Sequence, residues 1–461
     1  MDIYNNISPL DYRYYRKKEL FDRVEPYLTE NGFIKYQLRV EAALAQTLAD
    51  YDICPKQAAK QIENACKRVK PADIYREDKK TKHYTKALVN SIRKKVSRKA
   101  KPFVHFTATS FDIFDTANSL RYKEFAEKVL LPEMKAFEKT LIKLALREKK
   151  TLQIGRTHGQ HAVPITFGFY MAEYVSRLGG AIQRIETTKD NLVGKMSGAV
   201  GAYNSQSVFI KDPMAFEKTF LNKLNLKAAT SSKQIIEPEP LLHFIHAVVS
   251  AYGIMANLAD DLRHLQRTEI AEVAEKFDSK TQVGSSTMPH KMNPWNFENV
   301  KSMWKQTMPR IITYYMDQVS EHQRDLSNSA SSRFIPEMLA AYFESLTRLH
   351  GLVKKLVVNE DKMQSNFNNS KGLLVAEPLY LLLSFYGHPN GHEAARKLAL
   401  KARAEGKGLP EMIPQEKELQ PYLEKFSAKQ KQMLLTPEKY SGQAAKKTEK
   451  ICSYWQKELK L

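Results

Sequence analysis

Apolar residues recur at helical spacing over most of the chain. From Asn31 to Asp50, Phe33, Tyr36, Val40, Leu44 and Leu48 fall at three- and four-residue steps, which predicts one amphipathic helix. Between Pro240 and Phe277 the apolar positions Leu241, Ile245, Val248, Tyr252, Met255, Leu258, Leu262 and Leu265 recur about every 3.4 residues, near the heptad spacing of packed long helices. Similar runs follow Pro132 and Pro164 and lie between Phe334 and Val357. Helices of this length bury their apolar stripes against one another, so the pattern predicts an all-α chain built on a bundle. Pro102 closes a polar, basic stretch, and after residue 352 the periods shorten between Pro389-Asn390-Gly391 and Gly408-Leu409-Pro410. Three helical domains are expected: 1–101, a central bundle at 102–351, and 352–461.

Composition narrows the class. Only 18 Gly and 20 Pro in 461 residues argue against a turn-dense β architecture, and 43% hydrophobic residues exclude generic disorder. Three scattered cysteines, Cys54, Cys66 and Cys452, suit reduced thiols and a cytoplasmic protein. The start MDIYNNISPLDYRYYRKK has no apolar core of a secretion signal, and Glu377-Pro378 breaks the apolar stretch LLVAEPLYLLLSFYG, so no membrane association is expected. Lys and Arg number 72 against 51 acidic residues, a net charge of +21. Arg93-Lys94-Lys95 with Arg98, Lys99 and Lys101 looks like a phosphate-binding stripe. Its plainer reading is a solvated helical face, because no base-stacking module accompanies it, and nucleic acid is not the expected partner.

Three segments interrupt the helical pattern with Gly, Ser, Thr, Asn, His and Pro: 103–119, 151–168 and 281–299. Polar loops on a rigid scaffold are where chemistry concentrates. In the third, Gly284-Ser285-Ser286-Thr287-Met288-Pro289-His290-Lys291-Met292-Asn293 sets hydroxyls, a cation and an amide within a few residues. Such a set can hold a carboxylate and stabilise charge developing on it. GKMSGAVG at 194–201 has neither Walker nor Rossmann spacing, and no repeat is visible.

The loop string is similar to G-S-S-x-M-P-x-K-x-N, the signature of the fumarase/aspartase superfamily. Ser8-Pro9-Leu10-Asp11-Tyr12-Arg13-Tyr14, Thr109-Ser110-Phe111-Asp112, Arg156-Thr157-His158-Gly159-Gln160, GKMSGAVG, Gln323-Arg324-Asp325-Leu326 and Ala376-Glu377-Pro378 follow in the order seen in the adenylosuccinate lyase family, which the chain resembles along almost its whole length. The resemblance implies an all-helical lyase that eliminates fumarate from adenylosuccinate, leaving AMP, and from the succinyl-carboxamide ribotide of purine synthesis. It implies Ser285 as base, His158 as acid for the departing nitrogen, His83 as a second histidine at the site, and Lys291 and Asn293 on the carboxylate. Substrate contacts would come from Arg13, Tyr14, Thr109, Ser110, Asp112, Thr157, Gln160, Gln234, Ser286, Met288, Arg324, Ser329 and Arg333. No metal and no cofactor are implied. A homotetramer with sites shared between subunits is.

The chain departs from the family pattern at Tyr12, Tyr84, Thr107, His161, Phe169 and Glu239-Pro240. These positions motivate an alternative, a superfamily lyase for a different N-succinyl adduct. A second alternative of another class is a catalytically idle basic scaffold for nucleic acid.

Overall fold

The computed structural model describes residues 6–277 and 284–461. Thr281–Val283 of the third polar segment and the first five residues of the chain lie outside the described residues. The chain divides into two compact units. The first holds residues 1–134, 180–253 and 302–347; the second holds 135–179, 254–301 and 348–461.

The first unit opens with α1 (Lys18–Leu28) and α2 (Glu30–Asp50). Thr29 starts α2 by accepting the Gly32 N–H on its hydroxyl at 3.0 Å, which satisfies one of the free donors of the first turn. α3 (Lys56–Cys66), α4 (Pro71–Thr81), α5 (Tyr84–Arg93) and α6 (Ser110–Phe125) follow. Of the predicted stripe of α2, Tyr36, Val40, Leu44 and Leu48 are buried and Phe33 is partly buried; Ile34 and Leu38, outside that stripe, join them with Ile62, Ile74, Leu88, Ile92 and Ile113 in one core. The long-helix stretches of this unit meet through Tyr252, whose hydroxyl bonds Ser345 Oγ at 2.5 Å and whose ring lies edge-on to Tyr342.

The second unit takes most of α7 (Leu131–Arg147) and the first half of α8 (Phe167–Asp190). Tyr170 and Tyr174 of α8 both bond the Asp261 carboxylate of helix Glu239–Leu265. That helix is long and apolar enough to cross a membrane by length and composition, with two-thirds of its apolar window buried inside the protein. It ends at Leu265, short of the expected Phe277. The Glu272 N–H reaches back to Leu265 O at 3.0 Å, and the turn delivers Glu272 to a buried ion pair. Residues 375–434 form a separate small-helix core around Leu379, Leu383, Leu398 and Leu409.

Segment 151–168 is a hairpin rather than an irregular loop. β1 (Leu152–Thr157) and β2 (Gln160–Thr166) pair antiparallel. The two residues between them, His158 and Gly159, have φ of 54° and 73°. Two successive positive φ values make the mirror-image turn that matches strand twist, and glycine supplies the second without steric cost. All three cysteines are free and buried, and burial holds each thiol above its usual pKa, that of Cys452 at about 11.

Candidate active site

In the second unit, the loop from Gly284 to Pro294 folds on itself. Ser285 Oγ accepts the backbone N–H of Met288 at 3.1 Å and of Thr287 at 3.4 Å. Lys291 N–H donates to Met288 O at 3.0 Å, and Asn293 Nδ2 donates to Gly284 O at 3.0 Å. A Cβ on Gly284 would stand 2.1 Å from Lys291 O, so only glycine admits this closure. Glu275 anchors the exit: its carboxylate accepts Phe297 N–H at 2.8 Å and Asn296 Nδ2 at 2.7 Å. Ser286, Met288 and Lys291 are exposed, and Ser285 and Asn293 are half-buried.

The hairpin presents Thr157, His158 and Gln160 exposed at its tip. Its root is rigid. Arg156 forks onto the fully buried Glu272 with Nη2–Oε1 at 2.6 Å and Nη1–Oε2 at 3.1 Å. Gln153 Nε2 at 2.8 Å and Asn366 Nδ2 at 2.9 Å complete the shell of the same carboxylate. These donors offset the cost of burying the carboxylate. His161, one residue past the tip, bonds Ser370 Oγ through Nδ1 at 2.6 Å. Partial burial and the nearby Arg156 charge hold it below the usual imidazole pKa. Beside it lies a cleft of about 860 Å³ that includes Gln160, Glu377 and Arg403.

In the first unit, His83 is the N-cap of α5, its Nδ1 accepting Lys86 N–H at 3.2 Å. That bond places the ring proton on Nε2, which stays free to donate. Tyr84, where the family pattern has Asp, turns inward instead: its hydroxyl donates to Gln37 Oε1 at 3.1 Å and its ring packs against Tyr75 and Phe114.

Thr109 caps α6, with its N–H bonded to Asp112 Oδ2 at 2.8 Å, and Ser110 is the first helical residue. Asp112 is fully buried. Its other oxygen receives the Lys195 ammonium and the N–H groups of Ser197 at 3.1 Å and Gly198 at 3.2 Å. With its lone pairs occupied, Asp112 offers no free face to a ligand. It ties Thr109-Ser110 to the GKMSGAVG loop, so its placement differs from the substrate contact expected from sequence.

Arg324 lies over the Phe111 ring, its guanidinium carbon 3.6 Å from the centroid, and its buried Nη1 has no hydrogen-bond partner among the described residues. Gln234 is beside it, its N–H directed at Gln323 O at 3.4 Å. Arg333 bonds Ser329 O through Nη1. Arg13 and Tyr14 sit in the turn Leu10–Tyr14. The next residue, Tyr15, pins that turn to the helix after Phe334 through Ala340 O at 2.7 Å.

The candidate residues divide between the two units. Ser285, Ser286, Met288, Lys291, Asn293, Thr157, His158 and Gln160 belong to the second unit, and Arg13, Tyr14, His83, Thr109, Ser110, Asp112, Gln234, Arg324, Ser329 and Arg333 to the first. Lys195 and Glu272 are the supporting residues that sequence reasoning missed. Lys195 stood inside a quoted motif, but nothing in its neighbours tells a buried lysine from a surface one.

A family model described as lyase matches residues 13–308, and one described as adenylosuccinate lyase C-terminal matches 320–441. The chain is 35% identical to the adenylosuccinate lyase of Pyrococcus abyssi, covering 97% of this chain and 98% of that one. It is 32% identical to the adenylosuccinate lyase of Methanocaldococcus jannaschii, covering 95% and 94%. The fold matches the 3-carboxy-cis,cis-muconate lactonizing enzyme of Pseudomonas putida with a TM-score of 0.83 at 24% identity, over 96% of this chain and 98% of that chain. The chain belongs to the lyase family and, within it, to the adenylosuccinate lyases.

Proposed function

We propose that the chain is a fumarate-releasing C–N lyase that converts adenylosuccinate to AMP and acts in the same way on the succinyl-carboxamide ribotide of purine synthesis. Ser285 takes the proton from the carbon next to a succinyl carboxylate. The C–H electrons form the new double bond, the C–N bond breaks, and the nitrogen takes a proton from His158. Lys291 and Asn293 hold the carboxylate on which charge accumulates.

The observation that carries this reading is the pair of backbone N–H groups on Ser285 Oγ. A serine hydroxyl is a poor base in water. Two donors aimed at its oxygen, with the exposed Lys291 charge on the same loop, favour the alkoxide once water is excluded. Arg13, Arg324, Ser329 and Arg333 supply forked donors and hydroxyls for phosphate, and Thr109, Ser110 and Gln234 polar contacts for the succinyl group. His83, donating from Nε2, assists at the leaving nitrogen. We further propose a cytoplasmic homotetramer, sites completed by residues from neighbouring subunits, and the three-part division 1–101, 102–351 and 352–461.

The test is ultraviolet detection of fumarate and AMP from adenylosuccinate by the purified protein, beside Ser285→Ala and His158→Ala. Each substitution is expected to lower kcat about 10²–10⁴-fold. An active Ser285→Ala protein would remove serine from the base role. A folded wild type inert on adenylosuccinate but active on another succinyl adduct would move the substrate and keep the reaction.

A further inference from the structure

The net charge of +21 is spread very unevenly. Residues 56–101, a tenth of the chain, contain sixteen Lys and Arg against four Asp and Glu, and so carry twelve of those charges. They form α3, α4, α5 and the segment that follows.

Two contacts gather one end of this layer. Arg68, just past α3, donates through Nη2 to Lys95 O at 3.1 Å, and Ser97 N–H bonds Gln61 Oε1 at 3.1 Å. The α4 carboxylates facing this end are already neutralised: Asp73 by Lys95 at 3.2 Å and Glu77 by Lys94. Glu63 of α3 holds Lys67 at 2.6 Å and Lys60 at 3.3 Å. Arg68, Lys70, Arg93, Arg98, Lys99 and Lys101 then have no carboxylate partner among the described residues.

His83 stands at the other end of α5, ten residues or roughly 15 Å away along the helix. The cluster therefore lies apart from the candidate catalytic groups of its own unit, and a single tetra-anionic substrate has no use for six further cations there.

We propose that this end of the α3–α5 layer is a second, non-catalytic binding surface that takes the phosphate backbone of a nucleic acid without reading its sequence. Several observations select that partner. The cations are unpaired and densely set, as a polyanion requires. No base-stacking platform accompanies them among residues 56–101, which fits contact with the phosphate backbone. Of the large apolar side chains in residues 56–101 only Tyr75 is exposed, and it packs toward Tyr84 beside His83, so the cluster lacks the apolar anchor that membrane binding needs beyond a polybasic patch. The surface is additional to the elimination chemistry and does not depend on it.

The experiment is fluorescence anisotropy of a labelled, unstructured 20-nucleotide RNA titrated with the full-length protein across a series of salt concentrations. Two triple variants are compared: Arg93→Glu/Arg98→Glu/Lys99→Glu in the cluster, and Lys446→Glu/Lys447→Glu/Lys450→Glu on the exposed face of the C-terminal helix Ala444–Glu458. Both change net charge equally. Wild type is expected to bind with a slope of log affinity against log salt of about −4, from roughly 0.7 per phosphate engaged. The cluster variant should lose at least tenfold in affinity and about two units of slope, and the control less than threefold. The neutral pair Arg98→Gln/Lys99→Gln should fall between, and keeps the test open if the triple variant misfolds. AMP formation should be unchanged in every variant. Equal weakening in the two triple variants, no binding at low salt, or equally tight binding to phosphatidylserine vesicles would overturn the proposal.

Discussion

Two side chains are used in ways their residue types do not announce. His83 spends its Nδ1 lone pair on the first turn of α5. Asparagine can cap in the same way, so His83→Asn is expected to keep the melting temperature while lowering kcat. His83→Ala should lose both, at about 1 kcal/mol of stability. Thermal melts beside turnover separate the two effects. Glu138 in α7 is buried with neither carboxylate oxygen bonded among the described residues, and desolvation pushes its pKa up to about 9. The folded state therefore holds a proton that the unfolded chain releases near pH 4.3. Stability falls as pH rises from that value toward 9, by on the order of 1 kcal/mol per unit, and levels off above it. Glu138→Gln removes the titration, so its melting temperature should gain on wild type between pH 5 and pH 8.5. A constant difference would show that Glu138 has a charge partner.

At the scale of elements, the long helices were legible because their apolar period is repeated over many turns. The hairpin was not. Its strands are six and seven residues long, a register shift falls between Ile154 and Arg156, and Pro164 sits inside β2, so alternation never accumulates. The local signal was His158-Gly159 between two short apolar stretches. Asp112 and Glu272 were illegible for another reason. Their partners lie 83 and 116 residues away, and only the folded chain shows that both are buried. These two supports make separate predictions. Glu272→Gln weakens the fork to Arg156 and loosens the strand under His158, so kcat should fall at least tenfold with the hairpin amides exchanging faster. Gly284→Ala sets a methyl group against Lys291 O and should abolish most turnover while shifting the melting temperature by only a few degrees, because the loop is peripheral to the core. A Gly284→Ala protein with full activity would show that the observed closure is not the working one.

Over the whole molecule, the two sets of candidate residues fall in different units, and neither set contains both the proposed base and the proposed phosphate ligands. The proposed shared-site tetramer is tested by its mass. Light scattering is expected to give four times the 53.0 kDa chain mass. A fully active monomer would end that proposal. Charge belongs to this scale as well. The sequence total could be counted at once, but that more than half of it gathers in one tenth of the chain, with Glu63, Asp73 and Glu77 already paired, becomes meaningful only once α3, α4 and α5 are seen side by side.

The buried cysteines make the loop open to spectroscopy. Cys54, Cys66 and Cys452 are hidden and protonated at neutral pH, so maleimide and methanethiosulfonate reagents find no native target on the folded protein. A cysteine introduced at the exposed Met292 would react alone, with no need to delete the others. A spin label there turns movement of the Ser285 loop into a line shape that can be recorded before and after fumarate is added.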